Sequence, residues 1–434
     1  MILYSTNHQS PDVLLEEAVF RGLPQDNGLY MPYEISELPQ SFFDNIQNLS
    51  LTEIAFEVSK ALIGNDIPEN DLRKIVNTAI NFEAPIVEIE PDTYVLELFH
   101  GPSMAFKDFG ARFMAALMSY FLQKSNKDIH ILVATSGDTG GAVAQGFYET
   151  PGIKVTILYP KGKVSDIQEK QLTTLGKNVT ALEVDGTFDD CQALVKAAFL
   201  DQDLRQKFNL ASANSINISR LIPQSFYYFN AYAQLKKAGN TAPVVFCVPS
   251  GNFGNLSAGL IAAKMGLPVK MFVAATNINN IVPDYLKSGV YAPKTSQETI
   301  SNAMDVGNPS NFIRMKILAG SDFDQVIQKI TGDFRNDEET KKAMKKVYDQ
   351  TGYIMCPHTA VAYLGLKAYT ESLGEKVAGV FLSTAHFAKF LDVVEETLHT
   401  KVPVPERLEA LLSKEKVAIA MPKDFSSFKA YLLS

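Results

Sequence analysis

A chain of 434 residues is longer than one hydrophobic core supports and predicts about two or three domains. With 46% hydrophobic and 20% charged residues it has the material for a packed interior and no mark of disorder. A net charge of -8 argues against general nucleic-acid affinity but allows a local cationic pocket for a small anion.

The first 92 residues read as a mainly helical segment, with runs at Ser10–Arg21, Leu51–Ile63 and Glu69–Phe82 and a short strand or turn at Leu29–Pro32. No cation precedes Arg21, so a secretory leader is not expected. Interrupted apolar stretches such as Ala111–Leu122 fall short of the roughly 18 residues of a membrane span. Cytoplasmic location without a membrane partner is the expectation. Cys191, Cys247 and Cys356 lack CxxC spacing, which fits a reducing compartment and predicts neither a disulfide framework nor a metal site.

From Thr93 strands alternate with helices. Strands are expected at Tyr94–Phe99, Ile129–Thr135, Val155–Tyr159, Val179–Val184, Val244–Pro249, Val269–Ala275 and Val377–Leu382. This alternation predicts an α/β fold of two open, largely parallel sheets with helices on both faces. The composition shift at Lys236–Ala242 suggests an α/β domain over 93–236 and another over 237–434. The Pro-containing region Val282–Gly332 reads as an insertion or a cover. The helix expected after Lys107 is apolar nearly all round, with Lys124 and Lys127 at its carboxyl end.

In such sheets ligands bind beyond the carboxyl ends of the strands. Lys107, in FHGPSMAFKDFG, sits where a strand hands over to a helix; apolar surroundings and a helix N-terminus favour a neutral, nucleophilic amine, while Asp108 opposes this. ILVATSGDTGG and VVFCVPSGNFGN end strands in glycine turns that open helices, which aims backbone N–H groups at an anion. Neither turn carries the GK[ST] of a nucleotide loop or a dinucleotide fingerprint with its following acid, so a nucleotide is not expected, and the turns read as a site for a compact phosphate ligand or as ordinary strand-to-helix connectors. SANSINISR offers Ser215, Asn217 and Arg220 as a further anion pocket or, alternatively, a plain N-cap. LSTAHFAKF places Ser383 and Thr384 at a strand end, with His386 and Lys389 behind them in structural roles; Cys356 and His358 read as packing.

A lysine, glycine-rich anion loops, an Arg/Asn/Ser site and a terminal hydroxyl suit an aldehyde, a phosphate and an aromatic ring in one ligand, pyridoxal 5'-phosphate. The ordered motifs HGPSMAFKDFG, TSGDTGG, NSINISR, PSGNFGN and STAHFAKF, together with DNGLYMP near the start, resemble those of the threonine synthases, in the tryptophan synthase β family of pyridoxal-phosphate enzymes. The resemblance implies that Lys107 forms the Schiff base and shuttles protons. It implies that Gly251, Asn252, Phe253, Gly254 and Asn255 cradle the cofactor phosphate, that Thr384 faces the pyridine nitrogen and that Asp138 stands near the ring hydroxyl. Ser136, Gly137 and Thr139 would take the substrate carboxylate, and Ser215, Asn217 and Arg220 its phosphate. Ser103 and Phe387 depart from the common Thr and Pro of relatives. The implied reaction is conversion of O-phospho-L-homoserine and water to L-threonine and phosphate, by a monomer or homodimer. The alternatives are a related lyase releasing a keto acid and ammonia, and a non-catalytic phosphometabolite-binding protein.

Overall fold

The computed structural model describes residues 1–123 and 128–434, so Lys124 and Lys127 lie outside the described residues. The chain forms two compact units, one of Met1–Met31, Lys107–Arg220 and Val404–Ser434, the other of Pro32–Phe106 and Leu221–Pro403. This division interleaves segments, whereas the sequence reading cut the chain in series after 92 and after 236. Both ends of the chain contribute to the first unit: Ile2–Ser5 pairs antiparallel with Val13–Leu14, and the late strand Ile419–Met421 joins the larger sheet beside Val179–Val184.

The sheet of the first unit is all parallel, in the order Ile419–Met421, Val179–Val184, Ile153–Pro160, Ile129–Ala134, Asn209–Ser212. Every residue of Ile129–Ala134 is buried, as expected of a central strand covered on both faces. Its core includes Leu132, Leu158, Leu182, Leu194, Val195 and Phe428. Crossovers between the parallel strands are helical, among them Asp138–Gly146, Asp166–Thr173 and Phe188–Leu200.

The second unit holds six strands in the order Ile330–Phe334, Met271–Thr276, Val244–Pro249, Ala378–Ser383, Thr93–Glu97, Ile86–Glu90. All neighbours are parallel except the last pair, a hairpin turning at Pro91 and Asp92, where Asp92 takes a left-handed φ of 57°. The N-terminal helices Gln40–Asn45, Leu51–Ile63 and Glu69–Ala79 belong to this unit. Lys236 Nζ donates to the Phe43 carbonyl at 2.6 Å, and Leu38 N–H to the Met265 carbonyl at 2.9 Å.

All seven expected strands are present, with ends moved by one or two residues at most. In the two larger sheets sequence reasoning missed four strands, Ile86–Glu90, Asn209–Ser212, Ile330–Phe334 and Ile419–Met421, and these are their four edges; it also missed the short pair Ile2–Ser5 and Val13–Leu14. Each of these edges is five residues long or shorter and partly solvated, and so falls short of the longer buried run that marks a central parallel strand. The region read as an insertion or cover contains helices Ile281–Ser288, Phe312–Ala319 and Phe323–Ile327 and leads into the strand Ile330–Phe334.

His130 lies inside the first sheet, 5% exposed, with Nε2 2.8 Å from the Thr156 hydroxyl. Burial, helped by Lys154, pulls its pKa down to about 4. The folded value is below the unfolded one, so the unfolded chain takes the proton first as pH falls below about 6.5, and stability declines from there toward pH 4. Urea unfolding of His130→Asn should therefore show a stability difference between pH 7.5 and pH 5 that is smaller than the parent's by about 2 kcal/mol.

Candidate active site

In the first unit Lys107 is half-buried and opens the helix Lys107–Leu122; the next residue, Asp108, is fully buried. One turn on, Gly110 lets Arg220 pack against this helix: a Cβ there would lie 3.0 Å from the Arg220 carbonyl oxygen and 3.1 Å from its Nε. Arg220 is 2% exposed and donates from Nη1 to the Ala213 carbonyl. Burial lowers its pKa to about 10 against the opposing pull of the Asp108 carboxylate, so it remains a cation at neutral pH. Ser215 is half-buried on the same turn.

Asn217, expected at the substrate phosphate, has its side chain engaged within the protein. Its Nδ2 donates to the carbonyls of Val19 (2.9 Å) and Ser212 (3.3 Å), and its Oδ1 accepts from the N–H and hydroxyl of Ser219 (3.1 and 2.7 Å). Those bonds use the full capacity of a side-chain amide. Asn217 thus ties the helix Leu15–Arg21 to the Arg220 turn and has no donor left for a phosphate. The N-terminal segment, which the sequence left without a role, here supports the site.

After the strand Ile129–Ala134, the Thr135 hydroxyl accepts from the N–H groups of Gly137 (2.9 Å) and Gly140 (2.8 Å). Gly137 contributes shape and not a donor, with φ 133° and a would-be Cβ 2.4 Å from Gln168 Cδ. Ser136 and Thr139, on either side of it, are half-buried. Asp138 is 5% exposed and opens the helix Asp138–Gly146; its Oδ1 accepts from Gln168 Nε2 at 3.0 Å, a partner the sequence gave no sign of.

In the second unit the loop after Val244–Pro249 opens the 11-residue helix Gly254–Lys264. Phe253 adopts a left-handed φ of 59°, and a Cβ on Gly251 would lie 2.5 Å from the Ala303 carbonyl oxygen. Among the described residues, the backbone N–H groups of Asn252, Phe253, Gly254 and Asn255 donate to no protein acceptor. Asn255 is 5% exposed; its Oδ1 accepts from the hydroxyls of Tyr227 (2.6 Å) and Tyr228 (2.7 Å), while its buried Nδ2 has no hydrogen-bond partner. Asn252 is held by Ser310 and Asn311, whose N–H groups donate to its side-chain and backbone oxygens at 3.3 and 3.2 Å. A cluster of free amides plus one orphaned buried amide nitrogen fits a phosphate group. Thr384 is 6% exposed just beyond the strand Ala378–Ser383, in register with Thr93–Glu97, and its hydroxyl bonds to no described residue. Behind it the Ser383 hydroxyl pairs with Thr359 at 2.8 Å, Cys356 Sγ lies 3.2 Å from Thr359, and His358 Nε2 accepts from Ala303 N–H at 3.2 Å, the packing role expected of Cys356 and His358.

Three family profiles match the chain in succession: "Threonine synthase N terminus" over residues 3–80, "Pyridoxal-phosphate dependent enzyme" over 82–384 and "Threonine synthase, C-terminal" over 359–432. Curated threonine synthases of Haemophilus influenzae and Escherichia coli are 46% and 43% identical to it, each aligned over 100% of both chains. The chain belongs to the threonine synthase family of pyridoxal-phosphate-dependent enzymes. Solved members agree in fold: the Escherichia coli threonine synthase has 42% identity and a TM-score of 0.92, covering 100% of this chain and 99% of its own. A pyridoxal-phosphate-bound threonine synthase from Brucella melitensis has 33% identity and a TM-score of 0.92, covering 100% and 98%.

If Asn217 is a structural tie, Asn217→Ala should lower unfolding free energy by about 3 kcal/mol, the cost of stranding several buried groups. Urea denaturation measures this, and a purely ligand-binding asparagine would leave that stability unchanged.

Proposed function

We propose that this chain converts O-phospho-L-homoserine and water to L-threonine and phosphate, by loss of the γ-phosphate followed by addition of water at Cβ. The observation that carries the reading is the provision for two phosphates: the amide loop Gly251–Asn255 with the orphaned Asn255 Nδ2, and the buried Arg220 cation. When bound, pyridoxal phosphate supplies the electron sink for carbanions at Cα and Cβ.

Gly251, Asn252, Phe253, Gly254 and Asn255 hold the cofactor phosphate, with Tyr227 and Tyr228 fixing the Asn255 amide so that its nitrogen is left to donate. Thr384 would offer a hydroxyl to the pyridine nitrogen, and Asp138, whose carboxylate accepts from Gln168, would serve the ring hydroxyl. Lys107 Nζ would be the attachment point, and as a free amine it would move the Cα proton, give it up, and then take a Cβ proton. Ser136 and Thr139 receive the substrate carboxylate. Arg220 and Ser215 bind the γ-phosphate, and a permanent cation there stabilises the charge that develops as the phosphate leaves. Asn217 keeps that turn in place.

No described helix is long and apolar enough to cross a membrane. The net charge of -8 and cysteines that are all free and buried support action in the cytoplasm, as a monomer or homodimer.

Incubating the cofactor-loaded protein with O-phosphohomoserine should release phosphate and L-threonine in equal amounts; α-ketobutyrate with ammonia would instead place the chain among the deaminating lyases. Lys107→Ala should lose the absorbance band near ~410–420 nm that a protonated pyridoxal imine gives, and reduce turnover by about 10³-fold or more.

A further inference from the structure

Within the second unit, the loop that ends at Phe106, the residue joined to Lys107, is strapped to the segment after Ala378–Ser383. Phe106 N–H donates to the Thr384 carbonyl at 2.8 Å and His386 N–H to the Met104 carbonyl at 3.1 Å, bracketing an antiparallel bridge between Ala105 and Ala385. A further rung is barred to the backbone, because residues Phe387–Phe390 coil into a 3₁₀ turn in which Lys389 N–H donates to the His386 carbonyl. The Lys389 side chain takes over: its ammonium donates to the Ser103 carbonyl at 3.0 Å. Lys389, Ser103 and Ala105 are each 0% exposed, and Met104 between them is held at a left-handed φ of 57°.

Lys389 carries its ammonium into a fully buried site and donates it to the Ser103 carbonyl, where packing alone would be met by Leu or Met. We propose that Lys389 is a positioning residue, fixing the 101–106 loop through the Ser103 carbonyl so that Lys107 and Thr384 are presented from one rigid strap. This rests on the reading of Lys107 as the cofactor-bearing lysine. The strap carries Thr384 on one strand and ends on the other at Phe106, the residue to which Lys107 is bonded. Strain at Met104 is tolerated only where surrounding bonds over-determine it: His386 N–H bonds the Met104 carbonyl, and Lys389 bonds the carbonyl of the preceding residue, Ser103.

The test uses the cofactor-loaded Lys389→Met protein, which keeps the chain length and removes the charge. Amide exchange of Phe106 and His386 should accelerate by about tenfold or more, with the Val244–Pro249 amides unchanged. The kcat should fall by about 10²-fold, as for a misplacement of about 1 Å, while KM stays within about threefold. Lys389→Gln, which retains a donor, should recover part of both effects and serves if the Met variant does not fold. Unchanged exchange at Phe106, or a lower unfolding midpoint with kcat intact in the folded protein, overturns the proposal. So does failure of both variants to fold, which would assign the ammonium to folding of the whole unit. Lys107→Ala separates the two readings: it removes turnover but should leave Phe106 protected, and the exchange result stands whatever product the enzyme makes.

Discussion

A parallel strand cannot turn straight back to its neighbour; it must cross over through a helix, and each crossover leaves unpaired N–H groups at the carboxyl end of a strand. Both larger sheets are built under this constraint, and the residues assigned to the site fall where it acts. The Gly251–Asn255 loop, the Ser136–Thr139 loop and Thr384 each follow a fully buried strand. The amides supply anion-binding capacity at no cost in side-chain entropy, and the side chains around them set what kind of anion and in what orientation.

What surrounds those loops is mostly a set of buried polar groups holding one another. Asn217 is saturated by Val19, Ser212 and Ser219; Asn252 is braced by Ser310 and Asn311; Asp138 is turned by Gln168. Where a buried group is left over, as with Asn255 Nδ2, it marks a place for something the chain alone does not provide. Buried cations divide in the same way. Arg220 faces Asp108 and keeps its charge, which suits it to a departing phosphate, whereas the Lys389 ammonium donates to the backbone carbonyl of Ser103.

How much could be read from the chain alone follows from the range of the interactions involved. Lys107 at a strand-to-helix junction and the glycine turns at Gly137 and Gly251–Gly254 are local, set by neighbours within a few residues, and the structure has them where the motifs placed them. The edge strand Ile419–Met421 was missed because it is only three residues long and its partner, Val179–Val184, is remote in sequence. The supporting bonds are remote too: Asn217 reaches Val19 across 198 residues and Lys389 reaches Ser103 across 286. No spacing rule announces such a pair, since each member looks like an ordinary cap or surface residue until the chain brings the other to it.

By itself, then, the sequence determined the α/β class, the central strands, the ordered motifs and the chemistry those motifs can support, because hydrophobic period and turn composition are short-range properties. Only the tertiary structure decided which polar residues remain available to a ligand. Asn217 and Gly137 read as binding groups and turn out to be occupied, while Asn255 Nδ2 keeps its donors unused. The physical reason is that a buried polar group is satisfied by whatever the fold brings within hydrogen-bond distance, and that partner is set by packing between distant segments.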